Sequence, residues 1–300
     1  ITIMPPFPAL HYPSSVWRVL LSCLLISNKA VATNSFPRKK FIGANWKCSL
    51  ETVDDVDKLV GDLNSMWRSL PQAEVSAIDL CVNPPYVFLD RVRSRLHKGI
   101  LVGSQNVFDA RGPNLGNTGA STTAMLRAVG CKWVLLGHSD RRNNLGEVDE
   151  LIADKIRATL EAGMGVILTI GELKAQRDRG QALATLEKQL GAAAKEIPPD
   201  AWGNVVVAYE PVWAVGEGAT PCSPEEAQRV NAALRLWIRK NVGPAAALAC
   251  RLTYTGSVNE ENAAAYAALA DVDGFVVGRA GLDMAKLRKI VCTLASDGQQ

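Results

Sequence analysis

The chain has 300 residues, of which 48% are hydrophobic and 21% charged, and a formal net charge of +3. This composition excludes a wholly disordered chain, and the near-neutral charge gives no electrostatic basis for nucleic-acid binding. The seven cysteines lack the CxxC or CxxxC spacing of a structural zinc site, and no apolar run reaches the ~18 residues of a membrane span. The length fits either two domains or one enlarged α/β barrel.

The first 38 residues differ from the rest of the chain. A short apolar block at residues 19–26 follows Arg18 and precedes the small-residue triplet at 30–32. An apolar block before such a triplet resembles a secretory signal. We therefore expect residues 1–38 to be a targeting leader absent from the mature protein, although they also fit a leader without a targeting role. Residues 39–296 are then one folded unit and 297–300 a short tail.

From residue 41 onward, short apolar runs alternate with longer amphipathic runs. The apolar runs predict eight strands, at residues 41–44, 78–82, 101–104, 133–136, 166–170, 205–208, 252–254 and 275–277. They lack a polar alternation, as expected for parallel strands covered on both faces. Helical patterns between them include a run from 149 that Gly163 stops, alanine-rich runs at 181–195 and 262–270, and one from Pro224 to about Lys240.

Eight strand–helix units indicate an α/β fold, a closed (β/α)₈ barrel in a single domain. A doubly wound sheet is also compatible, because counting units does not show closure. Neither a GxGxxG turn nor a GxxxxGK[ST] loop occurs, which argues against a nucleotide-binding site.

The active site of such a barrel lies at the carboxyl ends of its strands. A lysine, a histidine and a glutamate converge on this rim. The polar or glycine residues that follow the strands include Asn45, Lys47, His138, Glu210, Thr255, Ser257, Gly278 and Arg279. Each reactive residue also has an ordinary structural interpretation: His138 as a core histidine, Lys47 as a surface lysine, and Glu210 in a salt bridge. Arg141 or Arg142 would then be the partner of Glu210.

These groups suit proton transfer at a carbon atom. A positioned, poorly solvated carboxylate can take a proton from a carbon next to a carbonyl, and the enediolate oxygen that forms needs hydrogen-bond donors or a cation. His138 and Asn45 can donate, and Lys47 adds positive charge. The turns after strands seven and eight, with Gly216, offer backbone N–H groups to a phosphate. The combination indicates proton transfer within a small phosphorylated hydroxy-carbonyl compound, with no metal and no other cofactor.

At these residues the chain resembles the triosephosphate isomerase family. The matching segments, in the family's order, are FIGANWKCSL, SQNV, TGA, WVLLGHSDRR, GVILTIGE, VVVAYEPVWAVGEG, EEAQ, YTGSV and DGFVVGRAGL. NWK, GHS and AYEPVWA together are highly specific. The resemblance implies a (β/α)₈ barrel and cofactor-free interconversion of D-glyceraldehyde 3-phosphate and dihydroxyacetone phosphate through an enediolate. It also implies a homodimer in glycolysis, gluconeogenesis or plastid triose metabolism.

The resemblance implies a role for each matching reactive residue. Glu210 is the base that moves the proton, and His138, held neutral by a helix N-terminus, polarises the carbonyl. Lys47 supplies the cationic charge, and Asn45 hydrogen-bonds the substrate oxygens.

It further implies positions around these four. Pro211, Val212 and Trp213 begin a lid that closes through Gly218, and the phosphate contacts are Gly216, Ser257, Gly278 and Arg279. Glu147 is a supporting carboxylate, and residues 105–118 insert into a partner subunit, where Thr118 approaches the other active site.

Four positions depart from the family pattern. Asp140 replaces a glutamate and keeps the charge with a shorter reach, so we expect a looser salt bridge near the lid. Thr255 replaces the first glycine of a YGGS turn, and is strained if that position has a positive φ. Arg279 replaces the second glycine of a VGG turn, so its side chain either points away or joins the phosphate site. Ala120 replaces the glutamate of TGE in a dimer loop that is also longer than usual, which weakens the inference of a dimer.

Two other interpretations stay open. A different barrel enzyme of phosphorylated sugars would need a Schiff-base lysine inside the barrel or several metal ligands. Lys47 follows its strand instead, and His11 and His97 lie away from the strand ends. A barrel that no longer catalyses is supported only by Thr255 and Arg279. The leader predicts a secretory or plastid location without membrane association after its removal, whereas the family's usual location is the cytoplasm.

Overall fold

The computed structural model describes residues 38–108, 117–216 and 220–297. The predicted leader up to residue 37, residues 109–116 of the predicted dimer loop, Gly218 of the predicted lid and the tail from 298 lie outside the described residues.

Within the described part, eight parallel strands close into a barrel in chain order. They are β1 Lys40–Asn45, β2 Ile78–Asn83, β3 Leu101–Ser104, β4 Trp133–Leu136, β5 Gly165–Ile170, β6 Val205–Tyr209, β7 Arg251–Tyr254 and β8 Gly274–Val277. The barrel is closed because β1 pairs with β2 on one side and with β8 on the other. All eight predicted strands are confirmed to within one residue, and the doubly wound alternative is wrong.

Helices fill the connections between the strands. They are α1 Val53–Arg68, α2 Gln72–Ala77, α3 Leu89–Arg95, α4 Thr123–Ala128, α5 Asp149–Glu161, α6 Lys174–Asp178, α7 Ala182–Ala194, α8 Pro224–Asn241, α9 Pro244–Ala249, α10 Ala263–Ala267 and α11 Met284–Asp297. No helix of the described residues is long and apolar enough to cross a bilayer.

Local sequence sets the predicted helix ends. Ser223 caps α8 by accepting the N–H of Glu226, and Pro224 occupies the first helical position, where its missing N–H costs nothing. Beyond α5, Gly163 has a φ of 73°, which ends the helix as its position predicted. The predicted helix at 262–270 is shorter, since α10 ends at Ala267 and turns lead from there to β8.

Two hydrophobic layers hold the barrel. The larger lies between strands and helices. The smaller fills the barrel itself and consists of Phe41, Cys81, Trp133, Leu135, Ile167, Val206, Ala208 and Val276. The interior is therefore packed with side chains, as expected for an eight-stranded barrel.

Arg251 closes the amino-terminal mouth of the barrel. Its guanidinium lies 5.2 Å from the ring centroid of Phe41 and 5.0 Å from that of Trp133. It also donates to Asp79 at 2.8 Å, and Lys39 pairs with the same carboxylate at 2.7 Å. These contacts leave the carboxyl-terminal mouth as the open end.

Candidate active site

The carboxyl-terminal mouth holds a cavity of about 750 Å³. Its wall contains all eight residues predicted for chemistry or phosphate binding, namely Asn45, Lys47, His138, Glu210, Gly216, Ser257, Gly278 and Arg279. They come from five connections that are far apart in sequence, and barrel closure brings them to one rim.

Ser139 holds the carboxylate of Glu210, which is only 2% exposed. Its hydroxyl donates to Glu210 Oε1 at 2.9 Å, and its backbone N–H donates to Oε2 at 3.0 Å. His138 Nε2 lies 3.3 Å from Oε1. Sequence reasoning missed this role of Ser139, although the residue directly follows His138 at a strand end.

No salt bridge joins Glu210 to the arginines that follow Ser139. Arg141 pairs with Glu147 at 2.6 Å, and Arg142 pairs with Asp149 at 2.6 Å. The interpretation of Glu210 as a salt-bridge partner of either arginine is therefore wrong. The physical reason is that the helical turn Asp140–Asn144 directs both guanidinium groups toward the start of α5.

His138 is 6% exposed and accepts a hydrogen bond at Nδ1 from the backbone N–H of Asp140, at 3.1 Å. This contact leaves Nε2 as the ring nitrogen that faces Glu210. The turn after β4 thus fixes the orientation of the ring.

Lys47 sits in a strained turn with a φ of 49°. Asn45 Oδ1 accepts the N–H of Lys47 at 3.1 Å, and Gln105 Nε2 donates to its carbonyl at 2.8 Å. The ammonium pairs with Asp140 at 3.0 Å, so this ion pair forms despite the shorter side chain. Lys47 therefore lies at the mouth and not inside the lumen, which does not fit a Schiff-base lysine.

The pKa of the Asp140 carboxyl is lowered. Partial burial acts against ionisation, but the hydrogen bond and charge of Lys47 outweigh it. Asp140 is thus a stable anion that holds Lys47 at the edge of the cavity.

At the phosphate end of the cavity, the strained residue is Ser257 and not Thr255. Ser257 has a φ of 48°, and its hydroxyl donates to the Ala214 carbonyl at 3.0 Å. Thr255 is not among the described residues with positive φ, and its N–H donates to Tyr209 O at 2.8 Å. The condition for strain at Thr255 is therefore not met, because the left-handed residue lies two positions later.

Arg279 follows Gly278 and begins the turn Arg279–Leu282. Arg279 is exposed and belongs to the wall of the cavity. The direction of its side chain stays a prediction.

The predicted base of the lid is anchored by Glu172, which sequence reasoning did not assign. The indole N–H of Trp213 donates to Glu172 Oε1 at 2.7 Å, and the hydroxyl of Tyr209 donates to the same oxygen at 3.1 Å. Arg177 lies 4.3 Å from the Trp213 ring centroid. Pro211 and Val212 precede this anchor. Glu172 directly follows β5, so the strand-end rule that found Glu210 also selects it.

Gly171 is a second residue without an assigned role. A Cβ at this position would overlap the carbonyl oxygen of Glu210. The close approach of the two backbones therefore requires glycine at this position. The backbone at Gly171 packs against that of Glu210 and so helps to position the carboxylate.

Glu147 lies outside the cavity, in a buried cluster. It accepts hydrogen bonds from Asn106 at 2.9 Å, Arg141 at 2.6 Å and Lys155 at 2.7 Å. Burial acts against ionisation, but these donors together lower the pKa of Glu147. The cluster ties the loop after β3 to the loop after β4.

Thr118 is exposed and away from the cavity, in the connection from β3 to α4. Large apolar side chains are exposed on the connections that follow β2, β3 and β4. They are Tyr86, Val87, Met125, Leu145 and Val148. In the described residues, no group of three or more His, Cys, Asp or Glu is arranged to hold a metal ion.

Comparison with known proteins adds an independent finding. A family model described as triosephosphate isomerase matches residues 40–294. The chloroplastic triosephosphate isomerase of Arabidopsis thaliana is 42% identical over 270 residues, which are 90% of this chain and 82% of the relative. The triosephosphate isomerase of Neurospora crassa is 44% identical over 82% of this chain and 94% of its own length. The cytosolic enzyme of Stellaria longipes is 43% identical over 82% and 92%.

Proposed function

The chain belongs to the triosephosphate isomerase family and interconverts D-glyceraldehyde 3-phosphate and dihydroxyacetone phosphate, and we propose that Glu210, His138, Lys47 and Asn45 perform this reaction. The observation that carries the proposal is one cavity with a buried carboxylate, an imidazole and an ammonium on one part of its wall. The turns suited to a phosphate form another part.

Binding begins at the phosphate end. Gly216, Ser257 and Gly278 present backbone N–H groups or a hydroxyl to the phosphate, and Arg279 contributes its backbone N–H. The three-carbon part of the substrate then extends toward Glu210. The held phosphate converts the reaction into one between fixed groups, which lowers its entropic barrier.

Proton transfer then runs through Glu210. Its carboxylate takes a proton from one substrate carbon, the electron pair of the C–H bond becomes a C=C bond, and the π pair of the carbonyl moves onto its oxygen to give an enediolate. The Nε2–H of His138 and the amide of Asn45 donate to the enediolate oxygens, while Lys47 balances the negative charge. The remaining hydroxyl proton moves to the former carbonyl oxygen through Nε2 of His138, and Glu210 returns its proton to the neighbouring carbon, so the reaction consumes no co-reactant.

The bonds from Ser139 define the resting position of the base. Both oxygens of the Glu210 carboxylate accept hydrogen bonds from Ser139. Glu210 therefore exchanges Ser139 for the substrate C–H when it acts. The lid that starts at Pro211, Val212 and Trp213, and continues to Gly218, excludes water during this step.

The test is the variant Glu210→Asp in the purified full chain, with glyceraldehyde 3-phosphate in a coupled assay. The shortened side chain withdraws the carboxylate from the substrate carbon, so kcat should fall at least about 100-fold. The exposed Glu187→Asp is the matched control and should keep its turnover. Unchanged kcat in Glu210→Asp would reject Glu210 as the base.

We also propose that the chain forms a homodimer through the connections that follow β2, β3 and β4. Val87 is 82% exposed and Leu145 61%, and exposed large apolar side chains of this kind are typical of an interface. Thr118 lies on the connection proposed to reach the partner's active site. Val87→Glu should shift the dimer to monomer in light scattering, whereas Leu236→Glu, at a site on α8 that is 65% exposed, should not.

We propose that residues 1–38 are a targeting leader, that 39–296 are the catalytic unit and that 297–300 are a tail. The support is the apolar block before its small-residue triplet, together with the chloroplastic name of the Arabidopsis relative. The cytosolic name of the Stellaria relative supports the opposite location. Residues 1–38 fused to a fluorescent protein should enter a plastid or the secretory route, and a diffuse cytoplasmic signal would reject the leader.

A further inference from the structure

Three cationic side chains line the cavity, and they differ in their partners. Lys47 pairs with Asp140 at 3.0 Å, and Lys286 pairs with Glu260 at 3.2 Å. Within residues 38–108, 117–216 and 220–297, Arg279 takes part in no ion pair. Among those residues, no carboxylate forms an ion pair with its guanidinium.

Arg279 and Lys286 reach the cavity from the same side. Arg279 begins the turn after β8, and Lys286 lies in the first turn of α11. Lys47 reaches the cavity from the connection after β1. There it pairs with Asp140, whose backbone N–H donates to His138. Lys47 thus lies at the end of the cavity with the reactive residues, and Arg279 and Lys286 lie at the phosphate end.

One carboxylate also lines the phosphate end, that of Asp283. Its Oδ1 accepts the backbone N–H groups of Ala285 at 2.9 Å and Lys286 at 3.1 Å, so it serves as the cap of α11. Glu260 pairs with Lys286, which is 46% exposed, and the charge of Lys289 also acts on this carboxylate. Of the two cations at the phosphate end, Lys286 is paired with Glu260, and Asp283 accepts backbone N–H groups. Arg279 is therefore the group most able to attract an anion.

The cavity is large for a three-carbon phosphate. Its volume of about 750 Å³ lies within the ~300–1,000 Å³ typical of sites for ligands of drug size. The backbone turns at Gly216, Ser257 and Gly278 supply donors for one phosphate group. Arg279 and Lys286 line the same cavity and are the cations available to a second phosphate group.

We propose that Arg279 and Lys286 form a second anion subsite, which lets the cavity bind small molecules that carry two phosphate groups. Such a molecule places one phosphate on the backbone turns and the other between the guanidinium and the ammonium. It competes with the substrate and makes the enzyme sensitive to bisphosphorylated metabolites. This rests on the proposed function only in that the first phosphate occupies the substrate's phosphate position.

The test compares inorganic pyrophosphate with inorganic phosphate as competitive inhibitors of the full chain, at constant ionic strength and without divalent metal. A second charge-assisted contact should make the inhibition constant of pyrophosphate at least about tenfold lower than that of phosphate. Arg279→Gln should remove most of this preference. Lys286→Ala should reduce it about threefold, because its ion pair with Glu260 already offsets part of its charge.

The matched control is Lys289→Ala, which removes the same charge from the next turn of α11, outside the cavity. It should keep both the turnover and the preference for pyrophosphate. Equal inhibition by the two anions, or an equal loss of preference in Lys289→Ala, would overturn the subsite.

Calorimetric titration with pyrophosphate separates this proposal from the assigned reaction. It measures binding to wild type and to Arg279→Gln without an isomerase assay, so an inactive Glu210→Asp variant that still binds pyrophosphate tightly would leave the subsite standing. Wild type that isomerises triose phosphates but binds pyrophosphate no better than phosphate would reject the subsite alone.

Discussion

At the amino mouth of the barrel, Arg251 is enclosed by two aromatic rings and bonded to Asp79, which Lys39 also contacts. At the carboxyl mouth, the buried Glu210 accepts two hydrogen bonds from Ser139 and lies 3.3 Å from His138 Nε2, and Arg279 lines an open cavity. Charges at the first mouth have permanent partners, whereas charges at the second have partners that a substrate can replace. The same eight strands therefore support stability at one end and chemistry at the other.

Backbone strain divides the molecule in the same way. The described non-glycine residues with positive φ are Lys47 and Ser257, and both line the cavity at the carboxyl mouth. Such conformations persist only where neighbouring groups enforce them, as Asn45 does for Lys47. Changes at the amino mouth should thus reduce stability without affecting turnover, and changes at the carboxyl mouth should do the reverse.

Gly171→Ala has the largest expected effect. It lies at the carboxyl mouth but should reduce both stability and turnover. The new Cβ overlaps the carbonyl oxygen of Glu210, so β5 and β6 must separate near the base. We expect a loss of at least about 3 kcal/mol in the free energy of unfolding, and of most of the activity. Chemical denaturation and the coupled assay measure both quantities.

Gly61→Ala is the control for Gly171→Ala. A Cβ at Gly61 meets no atom within 4 Å, and the residue lies inside α1. This change should stabilise the protein by about 0.5–1 kcal/mol. If Gly171→Ala were equally harmless, the close packing behind Glu210 would be wrong.

Arg251→Ala tests the amino mouth directly. It removes the guanidinium from between Phe41 and Trp133 and leaves Asp79 with Lys39 alone. The free energy of unfolding should fall by about 2–4 kcal/mol. The kcat of the folded protein should stay within twofold of wild type.

The exposed Arg239→Ala provides the reference for removing a positive charge, and should change stability by less than about 0.5 kcal/mol. A large fall of kcat in Arg251→Ala, with stability unchanged, would contradict the separation of the two mouths.

Ser139→Ala tests the carboxyl mouth, where Ser139 holds Glu210. It removes the hydroxyl that donates to Glu210 Oε1 but keeps the backbone N–H that donates to Oε2. We expect kcat to change about tenfold, because the resting position of the base is altered, and stability to fall by only about 1 kcal/mol. Ser76→Ala, at an exposed site on α2, serves as the comparison, and equal kcat values in the two variants would rule out a positioning role for Ser139.

The smallest effect concerns pH and a fixed ion cluster near the lid base. The hydrogen bond from Arg229, with that from Arg177, outweighs burial and lowers the pKa of Glu226 to about 2. Because the folded pKa lies below the unfolded value, this stabilisation is present above about pH 4.5 and is lost as the pH falls toward 2.

Between pH 5 and pH 3, the free energy of unfolding of Glu226→Gln should therefore fall by about 1 kcal/mol less than that of wild type, after allowance for solvent screening. Urea midpoints at the two pH values measure it, with the exposed Glu187→Gln as the reference. An identical slope in wild type and Glu226→Gln would show that the cluster is not coupled to folding.

The strands and the reactive residues could be predicted from the sequence for a physical reason. Strands covered on both faces are continuous apolar runs, and the first polar residue after each run marks the rim. Asn45, His138 and Glu210 were found in this way.

The contacts between these residues could not be predicted, because they depend on how each turn leaves its strand. The turn after β4 sends Arg141 and Arg142 away from Glu210 and presents Ser139 to it instead. Likewise, the position of the left-handed residue after β7 depends on hydrogen bonds such as that from Ser257 to Ala214, which no residue pattern encodes.

Arg251 closes the amino-terminal mouth, and side chains fill the interior of the barrel. The cavity can therefore be entered only from the carboxyl-terminal mouth. Reactant and product pass the same residues in opposite directions, and neither can leave through the far end. An anion resting on Arg279 therefore slows the forward and the reverse reaction by the same factor at equal occupancy, and it leaves the equilibrium between the two triose phosphates where it was.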